Sequence, residues 1–90
     1  MIIRYDPDFV EMLKKINVRI LKNFKERIKI FAKDPDNPQL NNHPLKKEWE
    51  GYRSIDVTNE WRAIYTEKAE GEEFIALFVV LGTHKELYKQ

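Results

Sequence analysis

The sequence predicts a small α+β domain in which an N-terminal helical hairpin packs on one face of a mostly antiparallel, twisted sheet. Three observations carry that expectation. Apolar residues keep helical spacing between Phe9 and Phe31 with no Pro or Gly from residue 8 to 33. The stretch from Tyr52 to Tyr65 alternates with period two, and Phe74 to Leu81, FIALFVVL, is continuously apolar. Ninety residues form one domain, residues 1–90, large enough for a single core.

Ile2-Ile3-Arg4-Tyr5 is a short strand candidate. Asp6 then N-caps a helix whose first position is Pro7, a place where the missing N–H costs nothing. A single helix running to residue 33 would be roughly 40 Å long, against a width of roughly 30 Å for a domain of this size. The helix is therefore expected to break near Ile16-Asn17. Leu21, Phe24, Ile28 and Phe31 form the apolar stripe of the second helix. Asp34-Pro35-Asp36-Asn37-Pro38 ends it and opens a polar loop running to Pro44. A short extended piece is expected at Leu45–Trp49, ahead of the hairpin.

The hairpin turns at Thr58-Asn59-Glu60. Parity decides its register: the apolar sets share a face only if the loop has an odd number of residues. Three residues place Val57 opposite Trp61, Ile55 opposite Ala63 and Asp56 opposite Arg62. Two would carry Glu60 and Arg62 into the core, at the cost of burying charge. A second turn is expected at Glu70-Gly71, and the apolar run 74–81 should be a central strand covered on both faces. Beyond Gly82, Thr83 and Glu86 fit a capping box, which puts His84 and Tyr88 on one face of a terminal helical turn. With helices on one face, the other is expected to be largely open, presenting Asp56, Arg62, Tyr52, Ser54 and Ile64.

Composition excludes several classes. With 42% hydrophobic and 34% charged residues and only three glycines, the chain is globular. It has no cysteine, hence no disulfide framework or thiolate metal site, and its two histidines lie far apart in sequence. No metal or other cofactor is expected. No apolar run reaches membrane-spanning length and MIIRYDPDF lacks a signal-peptide pattern, so the expected location is the cytoplasm, with no membrane contact. Net charge is +1, but residues 1–47 carry 11 Lys/Arg against 6 Asp/Glu and residues 48–90 carry 5 against 9. A basic half suits phosphate; it also suits the solvated face of two helices.

Spacing alone marks a small α+β domain with a polar site; the chain can also supply the few parts that a metal-free ribonuclease needs. A general base takes the ribose 2′-hydroxyl proton, a cation holds the crowded phosphate, and a general acid protonates the leaving oxygen. His43 and His84 suit proton transfer, Arg62 suits phosphate, and an aromatic ring can stack on a base. Each residue has an ordinary structural reading as well. His43 beside Pro44 is a turn residue, Asp56 with Arg62 is an exposed cross-strand ion pair, and Trp49, Trp61 and Tyr65 are core or rim aromatics.

The order H-P-L, W-E-G-Y-R, E-W-R-A-I-Y and L-G-T-H-K-E-L-Y over residues 43–88 resembles the YafQ branch of the RelE/ParE toxin superfamily. The resemblance implies a RelE-like fold and a toxin of a type II toxin–antitoxin pair. It further implies a ribosome-dependent mRNA endonuclease that needs no metal, with a cognate antitoxin, the ribosome and mRNA as partners. It makes His43, Glu60, Arg62 and His84 site residues, Arg62 on phosphate and His84 as general acid or base. Lys46, Lys47, Trp61 and Tyr88 fall to RNA binding. Two positions depart from the pattern: Asp56 stands where such enzymes carry another histidine, and Val80 where they carry an arginine. Asp56 remains a candidate base. The alternatives are a ParE-like toxin that binds DNA gyrase without cutting RNA, and an inactive interaction module on the same fold.

Overall fold

A computed structural model describes residues 1–88. Strand β1 (Ile2–Tyr5) leads into helices α1 (Pro7–Lys15) and α2 (Val18–Lys33), followed by the short strand β2 (His43–Pro44). Strands β3 (Tyr52–Asp56), β4 (Trp61–Glu70) and β5 (Glu73–Thr83) then lead to helix α3 (His84–Tyr88). The sheet order is β1-β5-β4-β3-β2. β1 runs parallel to β5, and every other pairing is antiparallel. The predicted α+β hairpin-on-sheet architecture is the one observed. No described helix is long and apolar enough to cross a membrane.

The helix boundaries follow from their caps. Asp6 Oδ2 accepts the Asp8 amide at 3.0 Å, and Asn17 Oδ1 accepts the Arg19 amide at 2.7 Å. Asn17 thus breaks the helical run where expected, with Ile16 extended at ψ 163°. The two helices bury Phe9, Phe24 and Phe31 against Tyr5, Tyr65 and Phe78, with ring centroids 5.0 to 6.1 Å apart. Such stacked, tilted and edge-on contacts add to the burial of the rings themselves.

The central register is the one parity requires. Ile55 faces Ala63 and Asp56 faces Arg62. Thr58 enforces the three-residue loop: its hydroxyl accepts the amides of Glu60 at 3.2 Å and Trp61 at 3.0 Å. Between β4 and β5 a bulge at Val79 shifts the register, so that Ile64 faces Val80 while Tyr65 faces Phe78. The shift keeps Tyr65, Phe78 and Leu81 all in the core.

Three expectations need correction. First, the outer face is not largely open: Ile64 and Ser54 are both fully buried on it. The turn Lys47–Trp49 and α3 lie over this face, joined where the Trp49 indole N–H donates to the Leu87 carbonyl at 3.3 Å. Second, Leu45–Trp49 is not an extended piece. The chain pairs with β3 one step earlier, at His43–Pro44, then coils into a 3₁₀ turn with Lys47 at φ 56°. Third, the apolar run of β5 is not covered throughout, because Phe74 is 61% exposed where the β4–β5 hairpin extends past the helices.

Candidate active site

Strand register orders the outer face. His43 on β2 pairs with Ser54 on β3, which pairs with Ile64 on β4. One step along, Asp56 pairs with Arg62, and Arg62 with Gly82 on β5. Arg62 therefore lies between the β2 edge, which carries His43, and α3, which carries His84.

The Arg62 guanidinium is held from three directions. Its Nη1 donates to the Thr58 carbonyl at 2.7 Å and the Trp61 carbonyl at 3.1 Å, and its Nε lies 3.0 Å from Asp56 Oδ1. The last is a charge contact rather than an aligned hydrogen bond, since Oδ1 accepts none. Among the described residues, Asp56 Oδ2 receives only a long 3.5 Å contact from Asn41 Nδ2. The pair is not the exposed one expected: the side chains are 15% and 25% exposed, shielded by the turn and its neighbours. Nη2 has no hydrogen-bond partner among the described residues, which leaves one edge of a fixed fork for a ligand oxygen.

His84 is tied to the same turn, its amide donating to the Glu60 carbonyl at 2.7 Å. The capping box then starts α3: the Glu86 amide donates to Thr83 Oγ1 at 3.2 Å, and Glu86 Oε1 accepts from the Thr83 amide at 3.0 Å and the Thr83 hydroxyl at 2.8 Å. Those bonds to the carboxylate, the Thr83 backbone N–H foremost, hold Glu86 below its ordinary value of 4.5. One turn on, the Tyr88 ring meets the His84 ring edge-on at a centroid distance of 4.5 Å. Tyr88 is thus the neighbour of His84, and its hydroxyl is buried without a partner among the described residues.

A cleft of about 590 Å³ opens between the turn and α3, lined by Asn59, Glu60, Arg62, Thr83, His84 and Lys85. Of the residues singled out from sequence, it brings together Glu60, Arg62 and His84. Asp56 stands behind Arg62. His43 lies outside the cleft lining, on β2, its Nδ1 2.8 Å from the Asn41 carbonyl. A carbonyl only accepts, so Nδ1 carries the hydrogen and the neutral ring keeps its lone pair on Nε2. Lys46 and Lys47 are exposed near the turn that covers the outer face. Trp61 points to the opposite face from Arg62, as strand alternation requires, and packs against the core. Lys85 was not singled out; its only signal in the sequence was its place after Thr83-His84 in the capping box.

Comparison with known proteins identifies the family and the fold. The family described as "Bacterial toxin of type II toxin-antitoxin system, YafQ" matches residues 2–89. Among solved structures, YafQ from E. coli strain BL21(DE3) is similar, with a TM-score of 0.76, 24% identity and 96% of each chain covered. A YoeB/ParE toxin from Agrobacterium tumefaciens is similar with a TM-score of 0.71 and 22% identity, over 93% of this chain and 99% of that one. The E. coli DinJ-YafQ toxin–antitoxin complex is similar with a TM-score of 0.63 and 26% identity, over 96% and 94%. No curated protein sequence matches the chain.

Proposed function

The chain belongs to the YafQ toxin family of type II toxin–antitoxin systems, and from that premise we propose that it is an endoribonuclease cutting mRNA on the ribosome. The observation that carries the proposal is the cleft that sets the free edge of Arg62 beside Glu60, His84 and Lys85. In this reading the scissile phosphate binds at Arg62, whose fork is already oriented by two backbone carbonyls and Asp56. Fixed donors of this kind stabilise charge as it develops without reorganising.

A base removes the proton of the ribose 2′-hydroxyl, the resulting oxygen attacks phosphorus, and the 5′-oxygen leaves with a proton from an acid. The products are a 2′,3′-cyclic phosphate and a 5′-hydroxyl. His84 transfers one of the two protons. Glu60 is favoured for the other, since it shares the cleft lining with His84, whereas Asp56 is engaged with Arg62 and His43 lies outside the cleft. Asp56 then acts by positioning Arg62. Lys85 adds charge beside the phosphate path. Lys46, Lys47 and Tyr88 remain candidate RNA contacts at the margin.

The same reading gives the chain two macromolecular partners. A cognate antitoxin of net acidic charge fits the +5 balance of residues 1–47 and blocks the cleft, and the ribosome presents the mRNA. Mapping 5′ ends of mRNA after adding the protein to translating ribosomes tests the function. New ends bearing 5′-hydroxyls within codons are expected. Arrested growth with intact mRNA would replace this reading with a binder such as one acting on gyrase.

A further inference from the structure

On the far side of the Asp56–Arg62 pair lies a second cleft of about 350 Å³, between α2, the Pro38–Leu40 turn and the end of β3. It is lined by Asn23, Arg27, Gln39, Asp56, Thr58 and Asn59. Asn59 lines both clefts, and the 3.0 Å contact between Asp56 and Arg62 spans the wall between them. The two clefts therefore adjoin across the 58–60 turn, within reach of a single strand whose phosphate sits on Arg62.

The chemistry of this cleft suits a base better than a phosphate. The lining carries one cation, Arg27, and one anion, Asp56, and the Asp56 carboxylate repels a further anion. Arg27 is held in place, with Nη1 donating to the Gln39 carbonyl at 3.2 Å. The side-chain amides of Asn23, Gln39 and Asn59 have no hydrogen-bond partner among the described residues. Each offers one acceptor and a pair of donors, the complement of a nucleobase edge. We propose that this cleft is a nucleobase subsite, in which Asn23, Gln39 and Asn59 read the base next to the cleaved phosphodiester. It rests on the endonuclease reading and deepens it by naming the source of sequence preference.

The subsite makes Asn23 and Gln39 selectivity residues without a part in the chemistry. In the double variant Asn23→Ala, Gln39→Ala, cut sites on ribosome-bound mRNA should lose preference at one position flanking the cleavage point. A bidentate amide–base contact corresponds to roughly 5- to 150-fold discrimination, so the preferred base should lose at least about fivefold of its excess. Gln39→Glu, which keeps the side-chain shape and replaces donors by acceptors, should change which base is preferred. Circular dichroism confirms that both variants are folded. An unchanged distribution of cut sites in both would overturn the subsite and leave the endonuclease reading intact. Folded variants that cut nowhere would also overturn it, because losing a base reader relaxes selection rather than abolishing chemistry. A parent protein that cuts no mRNA would overturn both.

Discussion

Arg62 shows at the scale of one residue how far the sequence reaches. Its place opposite Asp56 was legible, because an odd loop length is the only one that keeps Glu60 and Arg62 out of the core. Its environment was not. The two carbonyls that fix Nη1 and the shielding of the pair depend on how the turn folds back, which alternation does not encode. That shielding changes what Arg62→Ala should do to folding. An exposed pair would contribute little, but here Asp56 loses its charged partner while only 25% exposed. A loss of about 1–3 kcal/mol is expected, in the range for leaving a shielded polar group without its partner, readable as a shifted urea midpoint. Asp56→Asn separates positioning from proton transfer. If Asp56 only orients Arg62, cleavage should fall by no more than about tenfold; a loss of about 10²–10⁴-fold, the range for a general base, would give Asp56 the proton instead.

At the scale of the element, α3 is the part most directly coupled to the site, since His84 is its first residue. The capping box that starts it was readable from Thr83 and Glu86 alone, because capping is a local matter of spacing. Its seat on the outer face was not readable. The bond from Trp49 to Leu87 joins residues far apart in the chain, and no periodicity announces such a contact. The sign of the pH effect follows from Glu86. Its folded value lies below the ordinary 4.5, so its contribution to the helix start is present above that value and fades as pH falls through the folded one. Amide protection in residues 84–88, taken relative to the intrinsic exchange rate at each pH, should therefore fall in acid before that of the sheet does. Glu86→Gln should flatten that pH dependence. Equal exchange rates in both proteins across the range would show that the box does not hold α3.

For the whole molecule, the core is aromatic and central to the fold, and most of it was visible as helical and alternating patterns. Phe78 touches rings from both helices and from β4. Phe78→Ala should cost about 3–5 kcal/mol, a large share of the stability of so small a domain. A change in urea midpoint corresponding to less than about 1 kcal/mol would contradict this packing. The exposed tip at Phe74 was misread because a continuous apolar run says nothing about how far a hairpin outruns its helices. Charge sets a further expectation. A net of +1 gives little long-range attraction for phosphate, so purified RNA should be cut slowly and ribosome-bound mRNA quickly, the ribosome supplying orientation. The cleft is expected to perform the chemistry with Arg62 and His84. The most direct test is the single-turnover cleavage rate of ribosome-bound mRNA by folded Arg62→Ala and His84→Ala. The expected losses are on the order of a hundredfold or more for Arg62→Ala and about 10²–10⁴-fold for His84→Ala, whereas parental rates in both folded variants would contradict it.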